Sequence, residues 1–149
     1  MLYLDDMVVG SRATFGDYHV TRDEVLAFAR QYDPQPFHLS DEAAATTHFG
    51  RVAASGWHTG AMSMAVIVRY LTAHPQAGLG SPGLDELRWP TPVYPGDTLS
   101  VASEIIEARP SRSKPDLGSL HSAITVTNKH GETVMTYRSI VLMRRRPAG

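Results

Sequence analysis

The stretch WHTGAMSMAVIVRYLTAH, residues 57–74, decides the fold. Its length and composition predict a helix, and apolar side chains recur on every side of that helix: Trp57, Ala61, Met62, Met64, Ala65, Val66, Ile67, Val68 and Leu71. A helix that is apolar all round is normally buried on most of its sides. We therefore expect the rest of the chain to wrap around it.

The second half of the chain supplies the wrapping. Four segments alternate apolar and polar residues at period two and are separated by turn sequences, as β-strands are: residues 84–89, 98–108, 119–129 and 132–143. Strands joined by short turns predict an antiparallel sheet. In the last segment, one face carries Met135, Tyr137, Ser139, Val141 and Met143. The expected class is α+β, a single hotdog domain over residues 1–149 in which a curved antiparallel sheet wraps a long central helix.

Two shorter helices precede the long one. Residues 21–32, TRDEVLAFARQY, carry one apolar stripe and open with Thr21 and Glu24 in capping-box spacing. This helix is expected to end near Asp33, because the residue before Pro34 is steered away from the α conformation. Ser40 then caps a second helix over residues 41–49.

The segment QYDPQPFH, residues 31–38, holds an aspartate and a histidine on a stiff piece of chain. On a helix, Asp33 and His38 would point apart, but the fixed φ angles of Pro34 and Pro36 allow them to converge in a turn. Such a pair can move protons. The alternative is structural: Asp33 terminates a helix and His38 packs beneath the next one.

Composition excludes several classes of function. A net charge of −1 and a pI near 6.6 give no broad basic surface for nucleic acid or an anionic membrane. No signal peptide or membrane span is expected, and the lack of cysteine suits a reducing cytoplasm. Three histidines, His38, His48 and His58, recur every ten residues, but no regular geometry brings all three together, so we expect no metal site.

Three linked motifs carry a family resemblance: YDPQPFH at residues 32–38 followed by Ala43 and Ala44, HFGRVAASGWHTG at 48–60, and LRWPTPVYPGDTL at 87–99. In order and spacing they resemble the MaoC-like dehydratases, which include the R-specific enoyl-CoA hydratases. The resemblance implies a hotdog dimer that acts on acyl thioesters with Asp33 and His38 as the catalytic pair. Two positions depart from the family pattern: Gln35 stands where asparagine is usual, and Met64 where several members have serine.

The resemblance also implies roles around the pair. Hydration of a 2-enoyl thioester needs a base, a proton donor and stabilisation of the enolate oxygen, and the last would come from Gly56 and the free amides beside it. Ser55 and Trp57 are expected to contact substrate. The cationic loop formed by Arg109, Arg112 and Lys114 either binds the phosphates of coenzyme A or is simply solvated.

The expected activity is that of a hydro-lyase on an acyl-CoA, with coenzyme A entering as part of the substrate and no separate cofactor. A thioesterase and a non-catalytic acyl-CoA-binding subunit are the alternatives. A homodimer or larger even oligomer is expected, because a short sheet around one helix leaves strand edges that can pair with a second copy. The sequence is compatible with acyl chains of different lengths, carried either by coenzyme A or by an acyl-carrier protein.

Overall fold

Five antiparallel strands and three α-helices make up the computed structural model, which describes all 149 residues. The elements follow in the order β1 (Arg12–His19), α1 (Arg22–Tyr32), α2 (Asp41–Ala45), α3 (Gly56–Ala73), β2 (Gly83–Arg88), β3 (Thr98–Pro110), β4 (Leu117–Thr127) and β5 (Thr133–Arg144), with short 3-10 turns at Leu4–Asp6 and Pro36–His38. The sheet order is β1-β3-β4-β5-β2. The predicted α+β class is confirmed, and the four predicted strands agree with β2 to β5 to within two residues at each end.

The core lies between α3 and one face of the sheet. Met62 and Val66 of α3 are buried in one cluster with side chains from β3, β4 and β5, from α1 and from the loops, among them Leu99, Val101 and Met135. Complete burial of each large apolar side chain stabilises the fold by about 1.5–3 kcal/mol. This packing fixes the height and the direction of α3 above the sheet.

The opposite face of α3 is open to solvent. Trp57, Met64 and Val68 are 64%, 48% and 50% exposed, and Leu71 lies on the same stripe. The expectation that α3 is buried on most sides is therefore wrong for a single chain, because a five-stranded sheet covers only one side of the helix. The stripe leaves an apolar face without a partner within the chain.

Strand β1 was not predicted. Gly16 and Asp17 interrupt its alternation, and its pairing is with the distant β3, where Arg12 lies opposite Glu104. Gly16 has φ of 121°, and a Cβ there would lie 3.0 Å from the side chain of Val66. Close approach of β1 to α3 therefore requires glycine at this position.

The short helices follow local side-chain chemistry. Thr21 Oγ1 accepts from the Glu24 amide at 3.3 Å, as the capping box predicts, but the Glu24 carboxylate accepts from the Tyr18 hydroxyl instead. Helix α2 is shorter than predicted and ends at Ala45. The hydroxyls of Thr46 and Thr47 donate to carbonyls three residues back, which competes with further helix. None of the helices has the length and apolarity needed to cross a membrane.

Candidate active site

Asp33 and His38 lie on the irregular segment between α1 and α2. The Asp33 amide donates to the Ala29 carbonyl at 2.9 Å and closes the last turn of α1. Pro34 disfavours continuation of the helix, and Pro36 opens the 3-10 turn that ends at His38. The chain therefore reverses between the two residues and turns their side chains towards each other.

The two side chains meet in polar contact. His38 Nε2 lies 3.4 Å from Asp33 Oδ2, and His38 Nδ1 lies 2.6 Å from the carbonyl oxygen of Ala53. Because a carbonyl only accepts, Nδ1 carries a hydrogen and donates it, so Nε2 of the neutral ring keeps its lone pair. His38 is only 5% exposed. The segment thus brings the pair together, as its prolines predict, while the chemical roles of the two groups stay predictions.

Asp33 is held as a carboxylate. Burial raises the pKa of this group, but the hydrogen bond from Gln35, the nearby Ser55 hydroxyl and the charge of His38 together outweigh burial, and the pKa is lowered. Gln35 Nε2 donates to Asp33 Oδ1 at 2.7 Å. Glutamine in place of the family's asparagine therefore occupies one carboxylate oxygen and leaves the other, Oδ2, facing His38.

The first turn of α3 presents unpaired backbone amides. His58 and Thr59 donate to the Ser55 carbonyl at 2.9 and 3.0 Å, whereas the amides of Gly56 and Trp57 make no hydrogen bond. The N-terminus of an 18-residue helix carries a partial positive charge in addition to these free donors. This point of the chain therefore suits an oxygen that gains negative charge.

Ser55 is the N-cap of α3, but its side chain does not cap the helix. The hydroxyl is buried and has no partner within hydrogen-bond distance, although it is close enough to Asp33 to lower the pKa of that carboxyl. A buried, unsatisfied hydroxyl is unusual in a folded chain. Ser55 therefore lies beside Asp33 with a hydroxyl that no protein group satisfies.

Both features open into one cleft of about 360 Å³. Its wall combines polar groups with aromatic and aliphatic ones: Asp33, His38, His48, Phe49, Ala54, Ser55, Gly56, Trp57, Thr59, Trp89, Pro90, Thr91, Pro92 and Val93. A cleft that presents convergent polar groups beside hydrophobic and aromatic side chains is typical of a small-molecule site. The five predicted residues Asp33, His38, Ser55, Gly56 and Trp57 all line it.

A larger groove of about 630 Å³ lies between β1, α1 and α3. Two pairs of its polar groups are hydrogen-bonded to one another: Tyr18 with Glu24, and Arg69 with the Asp17 carbonyl. The only histidine–carboxylate contact of the chain, between His38 and Asp33, lies in the smaller cleft. The chemistry therefore favours the smaller cleft.

Trp89 was missed by the sequence analysis. Its indole lies against Gly56 so closely that a Cβ on the glycine would be 2.7 to 3.0 Å from three ring carbons. Trp57 and Trp89 form an edge-on pair with centroids 5.3 Å apart. The only signal in the sequence was the place of Trp89 in the motif LRWPTPVYPGDTL, which gives it no role by itself.

The structure does not bring the cationic loop into this cleft. Arg109, Arg112 and Lys114 lie at the β3–β4 turn, whereas the cleft is lined by Val93 and its neighbours, before the other end of β3. About 40 Å of strand separates the two ends. Arg109 is also engaged by Glu107 at 2.8 Å. No residue of this loop meets Asp33 within one chain.

The three regularly spaced histidines have different surroundings. His38 and His48 line the cleft. His58 points away from it and stacks on Phe28 with ring centroids 4.7 Å apart. Burial lowers the pKa of His58, an effect that the charge of Glu24 only partly opposes.

Comparison with known proteins agrees with this architecture. A family model described as the MaoC like domain matches residues 8–127. The crystal structure of a MaoC-like dehydratase from Rhodospirillum rubrum is 39% identical, with a TM-score of 0.88 over 99% of this chain and 100% of that one. The R-hydratase PhaJ1 from Pseudomonas aeruginosa is 25% identical, with a TM-score of 0.72 over 99% of this chain and 92% of that one.

A curated relative adds sequence similarity. The 3-hydroxybutyryl-CoA dehydratase of Methylorubrum extorquens is 31% identical over 119 residues, which cover 78% of this chain and 72% of the relative. The solved neighbours are hotdog proteins, and the expected fold is confirmed. With the family model matching most of its length, the chain belongs to the MaoC-like dehydratase family.

Proposed function

We propose that the protein catalyses the reversible addition of water to a 2-enoyl-CoA, giving a 3-hydroxyacyl-CoA. The observation that carries the proposal is the contact between Asp33 Oδ2 and His38 Nε2, 3.4 Å apart, in a cleft that also holds the free amides of α3. The relatives named for dehydratase and hydratase activity support the same reaction class. Coenzyme A enters as part of the substrate.

The pair can hold one water between two acceptors. Oδ2 and the Nε2 lone pair each accept one hydrogen of that water, and its oxygen is then free to attack the β-carbon of the enoyl group. His38 takes the proton as the carbon–oxygen bond forms, and the imidazolium then returns a proton to the α-carbon. Asp33 stabilises the imidazolium by its negative charge, because a carboxyl with a lowered pKa is seldom protonated at neutral pH.

The amides of Gly56 and Trp57 stabilise the enolate. As water adds, electrons move from the double bond to the thioester oxygen, which becomes negative until the α-carbon is protonated. Donors that are already oriented towards that oxygen lower the barrier, and loss of one such donor costs about 10²–10³-fold in rate. Helix α3 fixes both amides through its packing on the sheet.

Incubation of the purified protein with crotonyl-CoA tests the proposal. Hydration removes the ultraviolet absorbance of the conjugated enoyl thioester without releasing thiol. Release of free thiol would indicate the thioesterase alternative, and no change with any 2-enoyl-CoA would indicate an acyl-CoA-binding subunit. The Asp33→Asn protein serves as the matched control, because the substitution keeps the shape of the side chain.

We also propose that the protein acts as a homodimer. The apolar stripe on α3 and the free edge of β2 are both unpartnered within the chain. A second copy of the chain can cover the apolar stripe and also pair with the free strand edge, so that neither is left exposed. The stripe begins at Trp57, so a second copy seated there would lie next to the cleft.

A further inference from the structure

The approach to Trp89 contains the only non-glycine residue of the chain with a positive φ. Glu86, near the end of β2, has φ of 55°, in the left-handed region. In the pairing with β5, Asp85 lies opposite Arg138 and Arg88 lies opposite Thr136. Strand β2 therefore contains one more residue than its partner at this point, which is a β-bulge.

The bulge changes which side of the sheet the following residues face. Side chains alternate along a regular strand, so residues three apart, such as Leu84 and Leu87, would face opposite sides. Here the extra residue resets the alternation. Leu84 lies opposite Ser139 on the helix side, and Leu87 also packs against the core below α3.

The same reset directs Trp89, two residues after Leu87, onto the helix side. Its indole reaches the first residue of α3, where it touches the α-carbon side of Gly56. Without the bulge, Arg88 would face the helix and Trp89 the outside. Strain in a left-handed non-glycine residue costs about 1 kcal/mol or more, and such strain commonly marks a functional position.

Trp89 is a wall of the cleft and not a core residue. It is 40% exposed, makes no hydrogen bond through its indole nitrogen, and lines the same cleft as Asp33 and His38. The ring covers the glycine whose amide faces the substrate oxygen. Together with Trp57, which stands edge-on to it, the ring forms an extended aromatic surface beside that glycine.

We propose that Trp89 is the specificity-determining residue for acyl length, and that it restricts the enzyme to short 2-enoyl chains. This inference rests on the function proposed above. A thioester bound through its oxygen to Gly56 directs one substituent along the indole. The hydrophobic acyl end is the substituent suited to that surface, because the coenzyme A arm carries amides and ends in charged phosphates. Carbons beyond the double bond then run into the ring.

The ratio of kcat/KM for 2-octenoyl-CoA to that for crotonyl-CoA tests the inference. The wild-type protein is expected to prefer crotonyl-CoA, and Trp89→Ala to raise the ratio at least tenfold, since one methylene in a fitted pocket is worth about 10–200-fold. Trp89→Phe gives a smaller rise and is used if the alanine variant fails to fold. Leu84→Ala, on the same strand and face but outside the cleft, is the matched control and leaves the ratio unchanged.

Several outcomes overturn the inference. One is an unchanged ratio in a folded Trp89 variant, and another is a wild-type protein that already prefers octenoyl-CoA. An equal rise in KM for both substrates would place the coenzyme A arm, not the acyl chain, against the indole. In each of these cases the wild-type protein still hydrates a thioester and the proposed function survives. Absence of hydration at every chain length would refute both the role of Trp89 and the proposed function.

Discussion

Replacement of Asp33 and His38, singly and together, tests whether they act as one unit. In Asp33→Asn, the oxygen that accepts from Gln35 is retained, and the new amide can donate to His38 Nε2 across the present 3.4 Å. That donation occupies the lone pair that would take a proton from water. His38→Gln keeps a polar side chain but removes the ring that can both take and return a proton.

The expected magnitudes follow from these contacts. Each single change removes a positioned proton transfer and is expected to lower kcat by about 10²–10⁴-fold. If the groups were independent, the double variant would lose the product of the two factors. Since one water is held by both, we expect the double variant to lie within about tenfold of the worse single variant.

Stability should change much less than rate. Asp33→Asn keeps its hydrogen bonds, so the free energy of unfolding is expected to change by about 1 kcal/mol or less. His38→Gln loses edge contacts with the rings of Phe37 and Phe49, worth about 0.5–1.5 kcal/mol. For a chain of this size these values correspond to a few degrees in Tm.

Crotonyl-CoA hydration and thermal melting of the wild-type, both single and the double variants provide the measurement. If Asp33 is only a helix terminator, asparagine will serve nearly as well and turnover will be close to normal. Near-normal hydration by a folded Asp33→Asn protein would therefore refute the catalytic assignment. A rate loss in the double variant equal to the product of the two single losses would show that the groups act independently and would refute the idea that they share one water.

Three further results are expected. Gly56→Ala drives a Cβ into the indole of Trp89 and should lower kcat/KM on the order of 10²-fold with the fold intact by circular dichroism; an unaltered rate removes the glycine from the site. His58 is neutral in the fold, since burial lowers its pKa, so the free energy of unfolding should fall as the pH drops from about 7 to about 5. Urea titrations at several pH values should show that this fall is smaller in His58→Phe, whereas the exposed His74→Gln should behave like the wild type. The same pH dependence of the unfolding free energy in His58→Phe and the wild type would contradict this. Light scattering should give twice the chain mass of 16.3 kDa for the wild type and a monomer for Met64→Arg, whereas a stable, active wild-type monomer would exclude the dimer.

Much of the fold was predictable because its signals are local. The apolar length of α3 and the period-two segments of β2 to β5 depend on neighbouring residues, and the structure keeps them. Strand β1 was not predicted because its alternation of apolar and polar residues is interrupted. Its stability comes from pairing with β3, about ninety positions away along the chain. Periodicity also could not reveal that one side of α3 stays open, since it counts apolar residues without showing what covers them.

The site was predictable only in part for a related reason. Asp33 and His38 converge because two prolines act within six residues, which the sequence displays. The position of Trp89 depends on a bulge at Glu86, a residue type that rarely adopts positive φ. No local pattern announces such a bulge, so the residue that forms a wall of the cleft could not be placed by sequence reasoning.

The segment from Val52 to Ser55 joins the two halves of the candidate site. All four of its residues are buried, and the Ala54 amide donates to the Val93 carbonyl at 2.8 Å. The Ala53 carbonyl orients the His38 ring, and three residues later the Gly56 amide begins α3. Because this piece of backbone is fixed on both sides, the distance from the Asp33–His38 pair to the free amides of α3 is set by covalent geometry and packing. In the proposed reaction, such preorganisation would let the pair and the amides act on two atoms of one substrate without rearrangement of the chain.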